Sequence, residues 1–217
     1  MFVETMVFLR FDMIECLCCG PYLNNVYWLK FDPTKQAVVI DAATGSVSKL
    51  EDKLKGYEVH VFLTHGHWDH IAEAALFKER LKAKIYFPIL DKIWLNDIFQ
   101  KNIVPVGYQF KTFQPDVWLN DGDVFVLGGL TWSILSTPGH TQGQVAIYNK
   151  DNGWVFVGDT LFDRGFGRTD LPGGDYRELM SSLRLLLKLP ETTTVYSGHG
   201  SQTTIGASNK ALKNILQ

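Results

Sequence analysis

The sequence predicts an α+β fold: a four-layer α/β/β/α sandwich built from two similar halves. Three observations predict it. Short runs of β-branched and aromatic residues, punctuated by Gly, Pro and Asn-Gly, recur in both halves of the chain. In each half the strands are followed by segments of helical period. Two sheets that each carry helices bury all their apolar faces when they stack on one another with the helices outside. At 217 residues, 46% of them hydrophobic, residues 1–217 suffice for one domain with a substantial core.

The first half opens with strands expected over 7–11, 15–19, 25–31 and 37–41, separated by Gly20-Pro21 and Asp32-Pro33. A short amphipathic helix over 46–55 stops at Gly56. A strand over 57–64 runs straight into a His-rich segment. A helix over 71–81, a strand over 84–87 ending at Pro88 and a helical stretch over 90–99 complete this half. Residues 101–115 contain Pro105, Gly107 and Pro115 without a clean period, and are expected to form a loop that walls a pocket.

The second half begins again with strands, over 123–127, 130–136, 144–148 and 154–158. Gly128-Gly129 and Asn152-Gly153 are their hairpin turns. In the last long helix Asp175 is the cap and Glu178 stands at capping-box spacing. Tyr176, Leu179, Leu183, Leu186 and Leu187 fall on one face, and Pro190 closes the helix. A strand over 193–197 follows.

Composition excludes several functions. The net charge of -2 supplies no global field for nucleic acid or anionic lipid. No run approaches the roughly 18 apolar residues of a membrane span. Met1 to Thr5 lacks a basic n-region, so a cytoplasmic location is expected. Cys16, Cys18 and Cys19 are odd in number and lack Cys-x-x-Cys spacing; they are read as small apolar residues rather than disulfide or metal partners.

The chemistry lies in the histidines. Of six, three fall within Thr64-His65-Gly66-His67-Trp68-Asp69-His70. In an extended turn His65 and His67 point the same way, whereas Asp69 and His70 must point differently, so the spacing suggests two ion sites side by side. His140, Asp159 and His199 each directly follow a strand and a glycine, on Gly139, Gly158 and Gly198. Polar residues on turns after strand ends read as site residues. A catalytic zinc takes about three protein ligands and keeps one position open. Two such ions account for six of His65, His67, His70, His140, His199, Asp69 and Asp159, and the seventh is a carboxylate shared between them. Either aspartate can bridge; Asp159, on its own strand end, is the better candidate. His60, inside an apolar strand, is read as structural.

The segment 64–70 resembles the signature of the metallo-β-lactamase superfamily. Thr137-Pro138-Gly139-His140-Thr141-Gln142-Gly143, Gly158-Asp159-Thr160-Leu161-Phe162 and Gly198-His199-Gly200 match that family's later pieces in order. Within it the chain is most similar to short, single-domain glyoxalase II-like (hydroxyacylglutathione hydrolase-like) enzymes, on the strength of Gly165 to Asp175. The resemblance implies the metallo-β-lactamase fold with the metal site at the edge of the two sheets. It implies that His65, His67 and His140 hold one ion, that Asp69, His70 and His199 hold the other, and that Asp159 bridges. It implies two divalent ions, zinc first, with iron or manganese as alternatives.

The same resemblance implies a metal-dependent hydrolase of thioesters, of the S-lactoylglutathione kind or another acyl thioester. Asp69 orients a hydroxide and accepts its proton, and Arg168 holds a carboxylate on a small anionic thioester. An aspartate at 159, where the common zinc β-lactamases carry cysteine or serine, points away from antibiotic hydrolysis. The segment after His199 is too short for the C-terminal helical domain of full-length glyoxalase II enzymes. The alternatives are an iron-dependent persulfide dioxygenase using His65, His140 and Asp159, and a lactonase or phosphodiesterase on the same fold.

Overall fold

A computed structural model of the chain describes residues 14–96, 104, 110–213 and 215. The strand expected over 7–11 lies outside these residues, as do 97–99 and most of the 101–115 loop.

The described strands form two six-stranded sheets. The first runs β1 (Glu15–Cys19), β2 (Asn24–Phe31), β3 (Gln36–Ile40), β4 (Glu58–Phe62), β5 (Lys84–Pro88), β6 (Val117–Leu119) in spatial order. It is antiparallel as far as β3 and parallel beyond. The second runs β14 (Thr203–Thr204), β13 (Thr194–Ser197), β10 (Trp154–Gly158), β9 (Val145–Asn149), β8 (Leu130–Ser136), β7 (Val124–Leu127). Only its β10–β13 pair is parallel. A small hairpin, β11 (Leu161–Phe162) with β12 (Gly165–Phe166), stands apart.

The period-2 alternation of the strands sorts their side chains into three cores. On the outer face of the first sheet, Val26, Trp28, Val39, Val59 and Val61 pack against helices α1 (Ser46–Leu50), α2 (Trp68–Ile71) and α3 (Ala74–Leu81). Between the sheets, Tyr27, Leu29, Val38, Ile40 and Phe62 meet Trp132, Ile134, Ile147 and Phe156. On the outer face of the second sheet, Ala146, Tyr148, Val155 and Val157 pack against α4 (Tyr176–Leu186) and α5 (Ile205–Leu212). The result is the expected four-layer sandwich of two similar halves. Each fully buried Leu, Ile or Phe in these layers is stabilising by roughly 1.5–3 kcal/mol.

Several elements differ from expectation, for local reasons. The helix expected over 71–81 is split between α2 and α3. Glu73 leaves helical geometry because its N–H donates to Ala42 O at 2.8 Å. Its carboxylate then accepts from the Gly45 and Val47 amides, both at 2.7 Å, and so caps α1. The helix expected over 46–55 ends at Leu50 and continues as turns. The stretch expected to be helical over 90–99 is, in its described part, a 3₁₀ turn at Ile89–Leu95. Tyr176, placed on the buried face of the last helix, is 52% exposed at its first position, with its ring near Phe166. Asp175 does cap that helix, accepting from the Arg177 and Glu178 amides. Strand β6 and helix α5 had no sequence expectation. Cys16 and Cys18 are exposed rather than packed; Cys19 is buried, and all three are free thiols. His60 is buried with Nδ1 3.0 Å from Tyr86 Oη, in agreement with a structural role. No described helix is long and apolar enough to cross a membrane.

Candidate metal centre

Strands β8, β10 and β13 run in one direction, because β9 is antiparallel to both β8 and β10 and β13 is parallel to β10. Their C-terminal ends therefore reach the same edge of the second sheet. His140, Asp159 and His199 follow those three ends. His65 and His67 follow β4 of the first sheet, and Asp69 and His70 lie on α2. The sheets are tied together at this edge. Val145 N–H donates to Thr64 O at 2.9 Å, and Asn25 N–H donates to Gly198 O at 2.7 Å.

All seven residues meet there. Three sets of donor atoms lie within 4.8 Å of one another: His65, His67 and His140; Asp69, His70 and His199; and, between them, His65, His70 and Asp159. Each of the three could hold a metal ion. The approach is close enough to exclude any side chain at position 198, where a Cβ would lie 2.4 Å from Asp159 Oδ1.

The outward nitrogens of the rings are committed to the protein. His70 Nδ1 donates to Asp41 Oδ2 at 2.8 Å. His199 Nδ1 donates to Tyr22 O at 3.0 Å, and His140 Nδ1 donates to Arg168 O at 2.8 Å. Thr64 Oγ1 donates to Asp41, so it accepts from His65 Nδ1 at 3.0 Å. These bonds leave lone pairs on the inward Nε2 atoms. His70 Nε2 and His199 Nε2 face each other at 3.3 Å, and His140 Nε2 faces His67 Nδ1 at 2.9 Å. His65 Nε2, His67 Nε2 and Asp159 Oδ1 are buried without a hydrogen-bond partner. Converging lone pairs with buried, unpartnered atoms beside them fit a bound cation.

Charge divides the centre. Burial, reinforced by the neighbouring imidazoles His70, His67 and His140, holds His65 well below its ordinary pKa. Burial and His140 push His67 down to about 3. Burial also lowers His140, against the opposing charge of Asp159. For His70 and His199, burial is outweighed. Asp159, Asp69 and Asp41 raise His70 well above its ordinary value, and Asp69 and Asp159 raise His199. Burial would raise both carboxylates, but His70 and its neighbours hold Asp69 and Asp159 below the usual range. A proton and a metal ion thus compete for the same lone pairs in the second set.

A cavity of about 390 Å³ opens onto Asp69, His67, His140 and Asp159, with Tyr22, Trp68, Leu171 and Arg168 as its remaining wall. Its size suits a small molecule. Tyr22 packs edge-on against Trp68, with ring centroids 5.5 Å apart. The Arg168 guanidinium forms a bidentate pair with Asp170, both bonds 2.7 Å.

Sequence reasoning missed the groups behind the ligands. Asp41 holds His70 and Thr64, and Asn24 Nδ2 donates to Asp69 Oδ2 at 2.8 Å. Asp41 did carry a signal: like Asp159, it is an acid at the end of an apolar strand. Its φ of 66° is a left-handed conformation uncommon for a residue with a Cβ, of the sort found at functional sites. The contributions of Tyr22 and Arg168 are backbone carbonyls, which residue type does not signal.

Comparison with known proteins agrees with this geometry. Residues 19–199 match the family described as the metallo-beta-lactamase superfamily. A hydroxyacylglutathione hydrolase, GloC, of Haemophilus influenzae is 34% identical over 189 residues, 84% of this chain and 89% of that one. The crystal structure of the BLEG-1 B3 metallo-beta-lactamase superposes with a TM-score of 0.83 at 34% identity, covering 91% of this chain and 97% of that one. TTHA1623, solved in a di-iron-bound form, superposes with a TM-score of 0.78 at 30% identity, covering 91% and 98%.

Proposed function

The chain belongs to the metallo-β-lactamase superfamily, and within it we propose a two-ion hydrolase that cleaves acyl thioesters. In this reading His65, His67 and His140 would hold one divalent ion, Asp69, His70 and His199 would hold the second, and Asp159, between the two sets, would be shared. Zinc suits this imidazole and carboxylate set, and the di-iron relative makes iron the alternative. One observation carries the two-ion reading. His70 Nε2 and His199 Nε2 converge at 3.3 Å, each within 3.6 Å of Asp69 Oδ2, while both Nδ1–H groups are spent elsewhere. A single-iron dioxygenase built on His65, His140 and Asp159 leaves that second set without a role.

Divalent ions supply two things when bound: they bring the pKa of water from about 16 down to about 7, and they polarise a carbonyl oxygen. The rest falls to the chain. Asp69 lines the cavity as a carboxylate and takes the proton of the attacking water. Asn24 fixes the plane of that carboxylate through Oδ2. Tyr22, Trp68 and Leu171 give the cavity an apolar wall against which the acyl part of a thioester would pack. The departing thiolate needs no strong acid, since a thiol has a pKa of about 8.5. Arg168 stands on the wall, where a substrate carboxylate competes with Asp170 for its guanidinium. That pair is exposed and screened by solvent, so the competition is open to the substrate.

The test is a substrate panel on metal-analysed protein: S-lactoylglutathione, a neutral aryl thioester, a lactone, a phosphodiester and a β-lactam. The likeness to GloC and to a B3 metallo-beta-lactamase places the first and last of these in the panel. Turnover of the thioesters, abolished in His67→Ala, is the expected result. Turnover of the lactone, phosphodiester or β-lactam with inert thioesters overturns the substrate class.

A further inference from the structure

Asp91 is a buried carboxylate that the proposed chemistry does not use. It sits fully buried on the 3₁₀ turn Ile89–Leu95. Its Oδ2 accepts from the Gly66 amide and from the Thr141 hydroxyl, each at 2.7 Å. Its Oδ1 accepts from the Gly143 amide at 2.7 Å. Gly66 lies between His65 and His67, and Thr141 follows His140 directly. One side chain therefore ties together the two loops, one from each sheet, that carry the three imidazoles of the first set.

The rest of the turn is shaped to the same end. Leu90 O accepts from Gln142 Nε2 at 2.7 Å, adding a third bond to the second loop. A Cβ at position 66 would fall 2.5 Å from the Trp94 side chain, and one at 143 would fall 2.4 Å from Asp91 N. The turn is thus seated against both loops without room for any side chain between. Burying a carboxylate is costly unless its oxygens are satisfied. Here charge-assisted bonds to three donors offset that cost, and such bonds are short and directional.

We propose that Asp91 is a positioning residue for the first metal site: it fixes the approach of His67 to His140 by clamping Gly66, Thr141 and Gly143. The inference rests on the two-ion reading above. The 2.9 Å separation of His67 Nδ1 from His140 Nε2 is the spacing that the clamp maintains. Asp91→Asn is close in size, but its Nδ2 turns a donor toward one of the three donors already there. That contact is lost and the two loops separate.

The experiment measures zinc affinity of both sites by chelator competition, and the visible spectrum of the cobalt-substituted protein. Wild type, Asp91→Asn and Thr141→Val are compared, with Asn24→Ala as a control on the second set. Asp91→Asn is expected to weaken the first ion about 10–100-fold, as loss of a group behind a ligand does, and to alter the cobalt spectrum. The second ion keeps its affinity. Thr141→Val removes one of the three contacts and shifts the first ion in the same direction by less; it keeps the test alive where Asp91→Asn folds poorly. Unchanged affinity and spectrum in both variants overturn the proposal. So does a parallel loss of both ions, which marks a structural role only. A wild type that binds a single ion at saturation overturns the two-ion reading instead.

Discussion

The two halves of the metal centre are made of different chemistry. The first set is three imidazoles on two loops, with Thr64 Oγ1 and Arg168 O behind two of them. Its rings are depressed in pKa and remain neutral. The second set includes the Asp69 carboxylate and two imidazoles raised in pKa by surrounding acids. His199, its outermost member, has a side chain 26% exposed, against 4% for His140. The first set is thus a neutral socket of buried imidazoles, and the second is a charged one whose outermost member, His199, is partly exposed. The second ion should be easier to strip and more sensitive to acid.

The largest expected effect comes from removing a donor of the first set. His67→Ala should lower thioester turnover by more than the roughly 100-fold typical for groups behind a ligand, measured at saturating zinc. Next is Asp41→Ala, which frees His70 and Thr64 together. It should weaken the second ion about 10–100-fold, read by chelator competition. If the first ion weakens equally, the coupling through Thr64 to His65 is stronger than the division into halves allows. Asn24→Ala removes one bond to Asp69. A buried hydrogen bond worth about 0.5–1.5 kcal/mol predicts a loss of roughly 2–10-fold in second-ion affinity.

A separate effect is on the pH dependence of the metal-free protein. His67 has an ordinary pKa of 6.5 and is pushed to about 3 by burial. Between those values the unfolded chain binds more protons than the folded one, so stability rises with pH. This contribution is full above pH 6.5 and is lost as the pH falls toward 3. His70 and His199, raised by their acids, act in the opposite sense: their contribution is full below 6.5 and fades as the pH rises through their folded values. Metal-free His67→Gln should therefore lose less stability than wild type on acidification from pH 6.5, in thermal melts of the two proteins side by side. Equal losses would remove His67 from the neutral set.

Much of this difference was legible before the structure. The spacing of His65, His67, Asp69 and His70 forced two directions of approach, and the polar residues after strand ends named the other three members. Runs of β-branched and aromatic residues between turn signals located most strands, because the inner layers of a four-layer sandwich are buried on both faces. Boundaries were less legible where tertiary bonds override propensity. Glu73 breaks a helix in order to cap another, and no local pattern announces that. Asp91 was invisible for the same reason: it reads as a charge on a short helix until Gly66, Thr141 and Gly143 converge on it.

The central claim is that two distinct sites share one bridge. The most direct test is zinc content per chain at saturation, in wild type and in His199→Ala. Two ions in wild type and one in the variant are predicted. One ion in wild type, or two retained in the variant, would contradict it.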